Sequence, residues 1–244
     1  MKITLRVTGL EVEAEYTEKE INQVLLPLLN QINQKRAEKG SRVIAYLAAP
    51  PGTGKTTLSL FMEYLYKQQD FPYTFQSVSI DGYHHKREYL LTHWLEEGKT
   101  RVRLNDVKGS PESFNLEALK RNILTLQHSP VEWAVYDRQL HDVSEETTWV
   151  DADIVLIEGN WLLLNEENWD ELRDYCDLSI FIEAEESLLR PRLIERKMKG
   201  GFSQTEAAAF YAASDRKNVC RVLAHRQKSN ILLGLSPTGE LLCL

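Results

Sequence analysis

The sequence predicts an α/β fold, a mostly parallel sheet with helices on both faces. Three observations carry that prediction. Short apolar runs, "RVIAYLAA", "DIVLIEG" and "LSIFIEA", alternate with stretches of helical spacing, and strands that alternate with helices build parallel sheets buried on both faces. One of these runs leads through "APPGTGKTT" directly into a helical stretch, the strand–loop–helix setting of a phosphate-binding loop. The 244 residues suffice for one sizeable domain with a well-buried core and would cramp two.

Taken in order, Ile3 to Val7 and Val12 to Tyr16 alternate apolar and polar residues and read as a hairpin around Gly9. Thr17 caps an amphipathic helix that Gly40 closes, with a kink expected at Pro27. Residues 1–40 are thus expected to pack as a hairpin and helix on a domain spanning 41–244. Within that domain "RVIAYLAA" is a strand and "KTTLSLFMEYLYKQQ" a helix, and "FQSVSID" is a strand ending at Asp81. Helices are expected at Glu88–Glu97 and Leu116–Gln127, then at Glu185–Lys199 and Gln204–His225. Between the two pairs lie the strands "DIVLIEG" and "LSIFIEA". "NILLGL", a Ser-Pro-Thr-Gly turn and "ELLCL" close the chain as strand, turn and strand.

Composition excludes several classes of function. A net charge of -7 argues against a nucleic-acid surface, which needs a basic stripe. Cys176, Cys220 and Cys243 are far apart and form no CxxC pair, so they read as reduced thiols of a cytoplasmic protein. The most apolar run, "IVLIEGNWLLL", is too short to span a bilayer and contains Glu158. No signal-peptide pattern opens the chain. No membrane or nucleic-acid partner is expected, and the oligomeric state is left open, with a homodimer among the options.

The loop after Ala49 carries the first chemistry. Gly52 and Gly54 let backbone N–H groups of Gly52–Thr57 (Thr53 and Thr57 among them) turn towards phosphates, and Pro51, which has no N–H, stiffens the loop. Lys55 can reach the β- and γ-phosphates of ATP, and the Thr56 hydroxyl can hold Mg²⁺. Ala49 stands where the usual pattern has its first glycine, but this position mainly needs a small side chain. No Asn-Lys-x-Asp guanine reader and no Leu-Ser-Gly-Gly transporter signature follows. Instead "SIDGYHH" puts Asp81 at the carboxyl end of a strand, the edge where open α/β sheets bind ligands. Asp81 can take a proton from an attacking hydroxyl or help hold Mg²⁺; the alternative is a turn aspartate before Gly82. Glu158 ends another buried strand, a costly place for a charge that serves no site.

These motifs resemble a known family. "APPGTGKTT", "SIDGYH", "KGSPESFN" and "VLIEGNWLL" occur in the order seen in uridine kinase, phosphoribulokinase and bacterial pantothenate kinase. The resemblance runs from about Arg42 to Leu233 and implies a three-layer P-loop NTPase fold with a helical lid around 185–202. It implies Asp81 as catalytic base, Lys55 on phosphate, and Thr56 and Glu158 at Mg²⁺. "KGSPESFN" matches the pantothenate kinase pattern with Phe114 and Asn115 where Tyr and Asp are more usual. The lid would be "RPRLIERKMKGG", with Arg190, Arg192, Arg196 and Lys197 and a hinge at Gly200–Gly201. Pro191 suggests that the lid helix starts there instead of at Glu185. The sequence does not choose among the arginines; Arg192 and Arg196 are the candidates carried forward for the nucleotide.

The acceptor pocket is expected between Asp81 and this lid. Lys86, Lys108 and Arg138 give it a basic lining suited to a carboxylate or phosphate, unless they belong to a solvated face balanced by glutamates. Tyr83, Tyr136 and Trp161 could wall the pocket, although aromatics beside a sheet more often belong to the core, and His84 is a further candidate; adjacent His84 and His85 suit loop or substrate contacts better than one metal ion. The expected function is an ATP-dependent kinase that phosphorylates a hydroxyl of a small metabolite resembling pantothenate, a nucleoside or a sugar. The alternative is a P-loop ATPase or nucleotide-dependent interaction protein with no small-molecule acceptor.

Overall fold

Strands β1 (Lys2–Val7) and β2 (Leu10–Glu15) pair antiparallel in the computed structural model, which describes residues 1–7, 10–98 and 100–244. The turn expected at Gly9 lies outside the described residues. Thr17 then opens a helical segment with a reciprocal cap: its hydroxyl accepts from Glu20 N at 3.1 Å, and the Glu20 carboxylate accepts from Thr17 N at 2.8 Å. The segment runs through α1 (Glu18–Glu20), a π turn at Ile21–Leu25 and α2 (Leu26–Lys39). The wider turn stands directly before Pro27, whose ring an ordinary α turn cannot accommodate without clash. Gly40 ends α2 in the left-handed conformation, φ 71°. Glu20 Oε1 also accepts from Leu241 N at 2.9 Å, which ties this segment to the last strand of the chain.

The main sheet contains β3 (Val43–Ala48), β4 (Phe75–Ser79), β9 (Ile154–Gly159), β10 (Leu178–Glu183), β11 (Ile231–Leu235) and β12 (Leu241–Cys243). Its order is β12-β11-β10-β3-β9-β4, parallel except where β12 turns back on β11. Every residue of β3 and β9 is buried, as central strands covered on both faces require. Alternation along β3 splits the core. Val43, Ala45 and Leu47 face α2 and α3 (Lys55–Lys67), through Leu29, Ile32, Phe61 and Met62. Ile44, Tyr46 and Ala48 face α5 (Leu116–Leu126), Trp133 and Trp161. The result is three layers, helix–sheet–helix.

Outside this frame the structure departs from the sequence expectations in three places. The helix expected over 88–97 stops early: α4 covers Arg87–Thr92, and β5 (Trp94–Glu97) pairs with β6 (Thr100–Arg103). Cross-strand contacts override helical propensity here, with the Arg101 and Arg103 guanidinium groups 5.3 and 5.0 Å from the Trp94 ring centre. A long hairpin, β7 (Val131–Asp137) and β8 (Asp142–Val150), stands beside β4 where no strands were expected. Most of β8 is exposed, so it carries no apolar alternation to read. Lastly, α6 (Glu186–Lys199) begins at Glu186 and runs through Pro191. Leu189 and Leu193, fully buried against Tyr211 and Val219, hold one face of α6 down while Pro191 faces outward. Helices α7 (Gln204–Phe210) and α8 (Arg216–Ala224) follow, joined by a π turn at Tyr211–Asp215. Among the described residues no helix is long and apolar enough to cross a membrane.

Candidate active site

The phosphate-binding loop joins β3 to α3. Gly52 and Gly54 take left-handed φ values of 89° and 87°, and Gly54 is the N-cap of α3; only glycine takes that conformation without cost. Thr53 Oγ1 donates to Pro50 O at 3.0 Å and tightens the turn. The helix's first N–H groups have no intrahelical acceptor, and with the helix dipole they form an anion site. Ala49 is fully buried in the core face shared with Leu58 and Phe61, so a methyl group there fills space that the usual glycine would leave. A side chain on Gly52 would begin 3.0 Å from Leu193 Cγ. Loop and lid helix α6 are therefore in direct contact.

Thr56 Oγ1 donates to Glu158 Oε1 at 2.9 Å, while Lys55 Nζ stands 3.9 Å from Glu158 Oε2. Glu158 lies beside Ser79 in the β9–β4 register and is 1% exposed, and its Oε2 has no hydrogen-bond partner. Burial, with help from Asp81, pushes the Glu158 carboxyl above the ordinary carboxylate range against the pull of Lys55. Burial likewise lowers the Lys55 ammonium, opposed by Glu158 and Asp81. A carboxylate with a free oxygen beside a threonine hydroxyl is a hard oxygen pair, the donor type that Mg²⁺ takes.

Asp81 is set by the end of β4. That strand stops at Ser79, whose hydroxyl accepts from Asp81 N at 3.1 Å, and a 3₁₀ turn over Ile80–Tyr83 carries Asp81 onward. The turn packs on the backbone of β7 so closely that a side chain on Gly82 would collide with Ala134 O. Trp133 Nε1 braces it from β7 by donating to Ser79 O at 2.8 Å. The unforeseen hairpin is thus what fixes Asp81.

Cations surround Asp81. Arg138 Nη2 lies 3.8 Å from its Oδ2, and Arg138 Nε is buried without a partner. Burial raises the Asp81 carboxyl, but His84, Lys55, Arg138 and Arg196 outweigh it and hold Asp81 below the ordinary carboxylate range. Burial keeps His84 itself low, so near neutral pH the lasting contributions come from Lys55, Arg138 and Arg196. His84 Nδ1 is 2.8 Å from Asp81 O; a carbonyl only accepts, so Nδ1 carries the proton and Nε2 faces elsewhere. The His84 ring lies on Phe114 at 3.8 Å and near Tyr136 at 5.6 Å. Lys108 Nζ sits 5.0 Å from the Tyr136 ring centre and donates to His141 O at 2.8 Å.

Residues 43–229 match the Phosphoribulokinase / Uridine kinase family. The chain belongs to this family. It is 40% identical over 241 residues to the uncharacterized protein YggC of Escherichia coli (strain K12), covering 98% of both chains. It is 25% identical to a putative uridine kinase of Schizosaccharomyces pombe, over 69% of this chain and 72% of that one. Pantothenate kinase of Streptococcus pyogenes is 27% identical over 59% of this chain and 45% of its own length. Among solved structures, a putative fructose transport system kinase from Silicibacter sp. TM1040 superposes with TM-score 0.73 at 26% identity, over 84% of this chain and 98% of that one. The fold of this P-loop kinase family accounts for the mostly parallel sheet and the loop between β3 and α3.

Against that family background the placements of the expected residues differ. Asp81, Lys55, Thr56, Glu158, His84, Lys108, Tyr136 and Arg138 gather at the carboxyl edge of β3, β4 and β9. Arg196 of α6 lies within electrostatic reach of Asp81 and Arg138. Arg192 does not join them, since its guanidinium packs against Gly239 in the turn before β12. Two acceptor candidates are corrected. Tyr83 is a core residue, 4% exposed, edge-on to Trp133 with its hydroxyl accepting from Asn122 Nδ2 at 2.8 Å. Lys86 is exposed and paired with Glu145 of β8 at 2.6 Å. Asn160 and Asp215, whose Oδ1 and Oδ2 atoms are buried near this edge, were not among the expected site residues: Asn160 stands within "VLIEGNWLL" behind the more conspicuous Glu158, and Asp215 sits in no motif.

Proposed function

We propose that the protein is an ATP-dependent small-molecule kinase that moves the γ-phosphoryl group to an acceptor hydroxyl. The observation that carries the reading is the Asp81 carboxylate, 3.8 Å from Arg138 and within the electrostatic reach of Arg196 and of Lys55 of the phosphate-binding loop. The N–H groups of the loop and Lys55 would hold the phosphates, and Arg196 the transferring group. Thr56 and Glu158 would hold Mg²⁺, which when bound neutralises charge on the phosphate oxygens. In the transfer, the acceptor oxygen forms a bond to the γ-phosphorus, the bond to the bridging oxygen breaks, ADP leaves and Asp81 takes the hydroxyl proton. A carboxylate held this low is a weak base, which suits a loose transition state in which the proton departs late. Before that, Asp81 orients the hydroxyl.

The names of the relatives put uridine, pantothenate and fructose among the acceptors to test. The deciding experiment gives the purified protein Mg·ATP and a library of hydroxyl metabolites. A kinase forms ADP matched one-for-one by a phosphorylated compound. Steady release of free phosphate that no metabolite changes would replace this reading with a P-loop ATPase.

A further inference from the structure

Three polar side chains stand near the catalytic edge with bonding capacity unused. Asn160 follows Glu158 by two residues at the exit of β9, and its Oδ1 is buried without a partner. Asp215 closes the π turn before α8; it is 8% exposed, and its Oδ2 is also buried without a partner. Asn218, 8% exposed and one helical turn further on, has no side-chain hydrogen bond among the described residues. Native proteins leave few buried acceptors unpaired, because each forfeits the hydrogen bond it had in water. A π turn in an otherwise regular helix often marks a functional site.

Contacts link these groups around the same edge. Trp161, next to Asn160, donates its Nε1 to Gly109 O at 3.0 Å. A side chain on Gly109 would begin 3.6 Å from Asn218 Nδ2. Asp215 shares the electrostatic reach of Arg196 with Asp81. The path therefore runs from Asp81 through the exit of β9, Gly109, Asn218 and Asp215 to Arg196 and back to Asp81.

We propose that this arc is the distal acceptor subsite and that it selects a neutral polyhydroxylated compound, a monosaccharide or polyol. The inference rests on the kinase reading and deepens it. The reacting hydroxyl sits at Asp81, and further hydroxyls donate to Asn160 Oδ1 and Asp215 Oδ2 while one exchanges hydrogen bonds with the Asn218 amide. Hydroxyls both donate and accept, so a vicinal set matches two acceptors and one amide. An acceptor with a carboxylate or phosphate at this end would meet the Asp215 carboxylate in a dry setting and be rejected. Arg196 and Lys197, the cations that act on Asp215, have Asp215 as their leading counter-charge, while Lys55 and Arg138 lie around Asp81.

The test measures ADP and phosphorylated product from the full chain with Mg·ATP and three panels. These are neutral sugars and polyols, nucleosides and hydroxy acids, and sugar phosphates. Turnover is expected with a neutral sugar or polyol. Asp215→Ala and Asn218→Ala should each raise its KM about ten- to a hundred-fold, with the KM for Mg·ATP within about twofold. Thermal melts check the fold, and if one variant does not fold the other decides. A better acceptor from another panel overturns the proposal but leaves the kinase reading standing, as does a polyol KM that neither variant moves. A change confined to the KM for Mg·ATP also overturns it and makes Asp215 a counter-charge for the lid cations. Release of free phosphate with no product from any panel sinks both readings.

Discussion

Replacing Asp81 with asparagine tests the mechanism most directly. Asp81→Asn keeps the side-chain shape and can still hydrogen-bond a hydroxyl, but it has no charge and cannot take the proton. A base of this kind contributes about a hundred- to ten-thousand-fold, or about 3–5 kcal/mol of barrier, so kcat should fall by that range. The substitution also releases cations. Arg138 lies 3.8 Å from Asp81, with the pair 29% and 30% exposed. A unit pair at such a distance is worth at most about 4 kcal/mol at an effective permittivity of about 20, and solvent reduces this further. That attraction becomes free for phosphate oxygens, so Mg·ATP binding should stay equal or tighten. Because its neighbours hold Asp81 below the ordinary carboxylate range, it is ionised throughout pH 5–7, and kcat of the wild type should show no acidic limb there from this group. Coupled ADP assays supply kcat, and calorimetry supplies the Mg·ATP affinity. Near-normal kcat in Asp81→Asn would reduce Asp81 to a turn residue. Weaker Mg·ATP binding with rescue by Mn²⁺ would make it a metal holder instead.

Three further outcomes follow from the same geometry. Lys55→Ala should weaken Mg·ATP binding by about a hundred-fold or more with the fold intact, and calorimetry showing equal affinities would remove Lys55 from the site. Glu158→Gln should change the pH dependence of stability. The Glu158 pKa is raised on folding, so above the unfolded value the unfolded chain loses a proton that the folded chain keeps, and stability drops as pH rises until the folded pKa is passed. Melting curves of wild type and Glu158→Gln should diverge in the variant's favour over that window, and parallel curves would mean that Glu158 carries no burial penalty. Gly52→Ala should cost about 1–2 kcal/mol from its φ of 89°, a drop of about 2–8 °C in Tm. Gly52→Ala should also lose more than Gly54→Ala, because its methyl group meets Leu193 whereas Gly54 opens on free space. Equal drops would argue against contact between loop and lid.

The sheet and the phosphate-binding loop are legible in the sequence, because both depend on local pattern. The buried strands read as unbroken Ile, Val and Leu runs, and Gly52, Gly54, Lys55 and Thr56 act through their own backbone and neighbours. The sequence also placed Asp81 and Glu158 at strand ends, which is one-dimensional information. Which distant groups meet them depends on packing that no local pattern carries. The hairpin Val131–Asp137 and Asp142–Val150 carries little apolar signal, since most of its second strand faces water. Yet Trp133 and the backbone at Ala134 fix the turn that holds Asp81, and Arg138 supplies its nearest cation. Tyr83 and Lys86 flank the same motif, but one points into the core and the other pairs with Glu145. Arg192 and Arg196 stand four residues apart on one face of α6, yet Arg192 packs against Gly239 while Arg196 comes within electrostatic reach of Asp81, because a different segment lies beside each turn of the helix. Sequence spacing assigns a residue to an element. The direction in which it points is set by the face that the element buries and by the segment packed beside it, through contacts between residues distant in sequence.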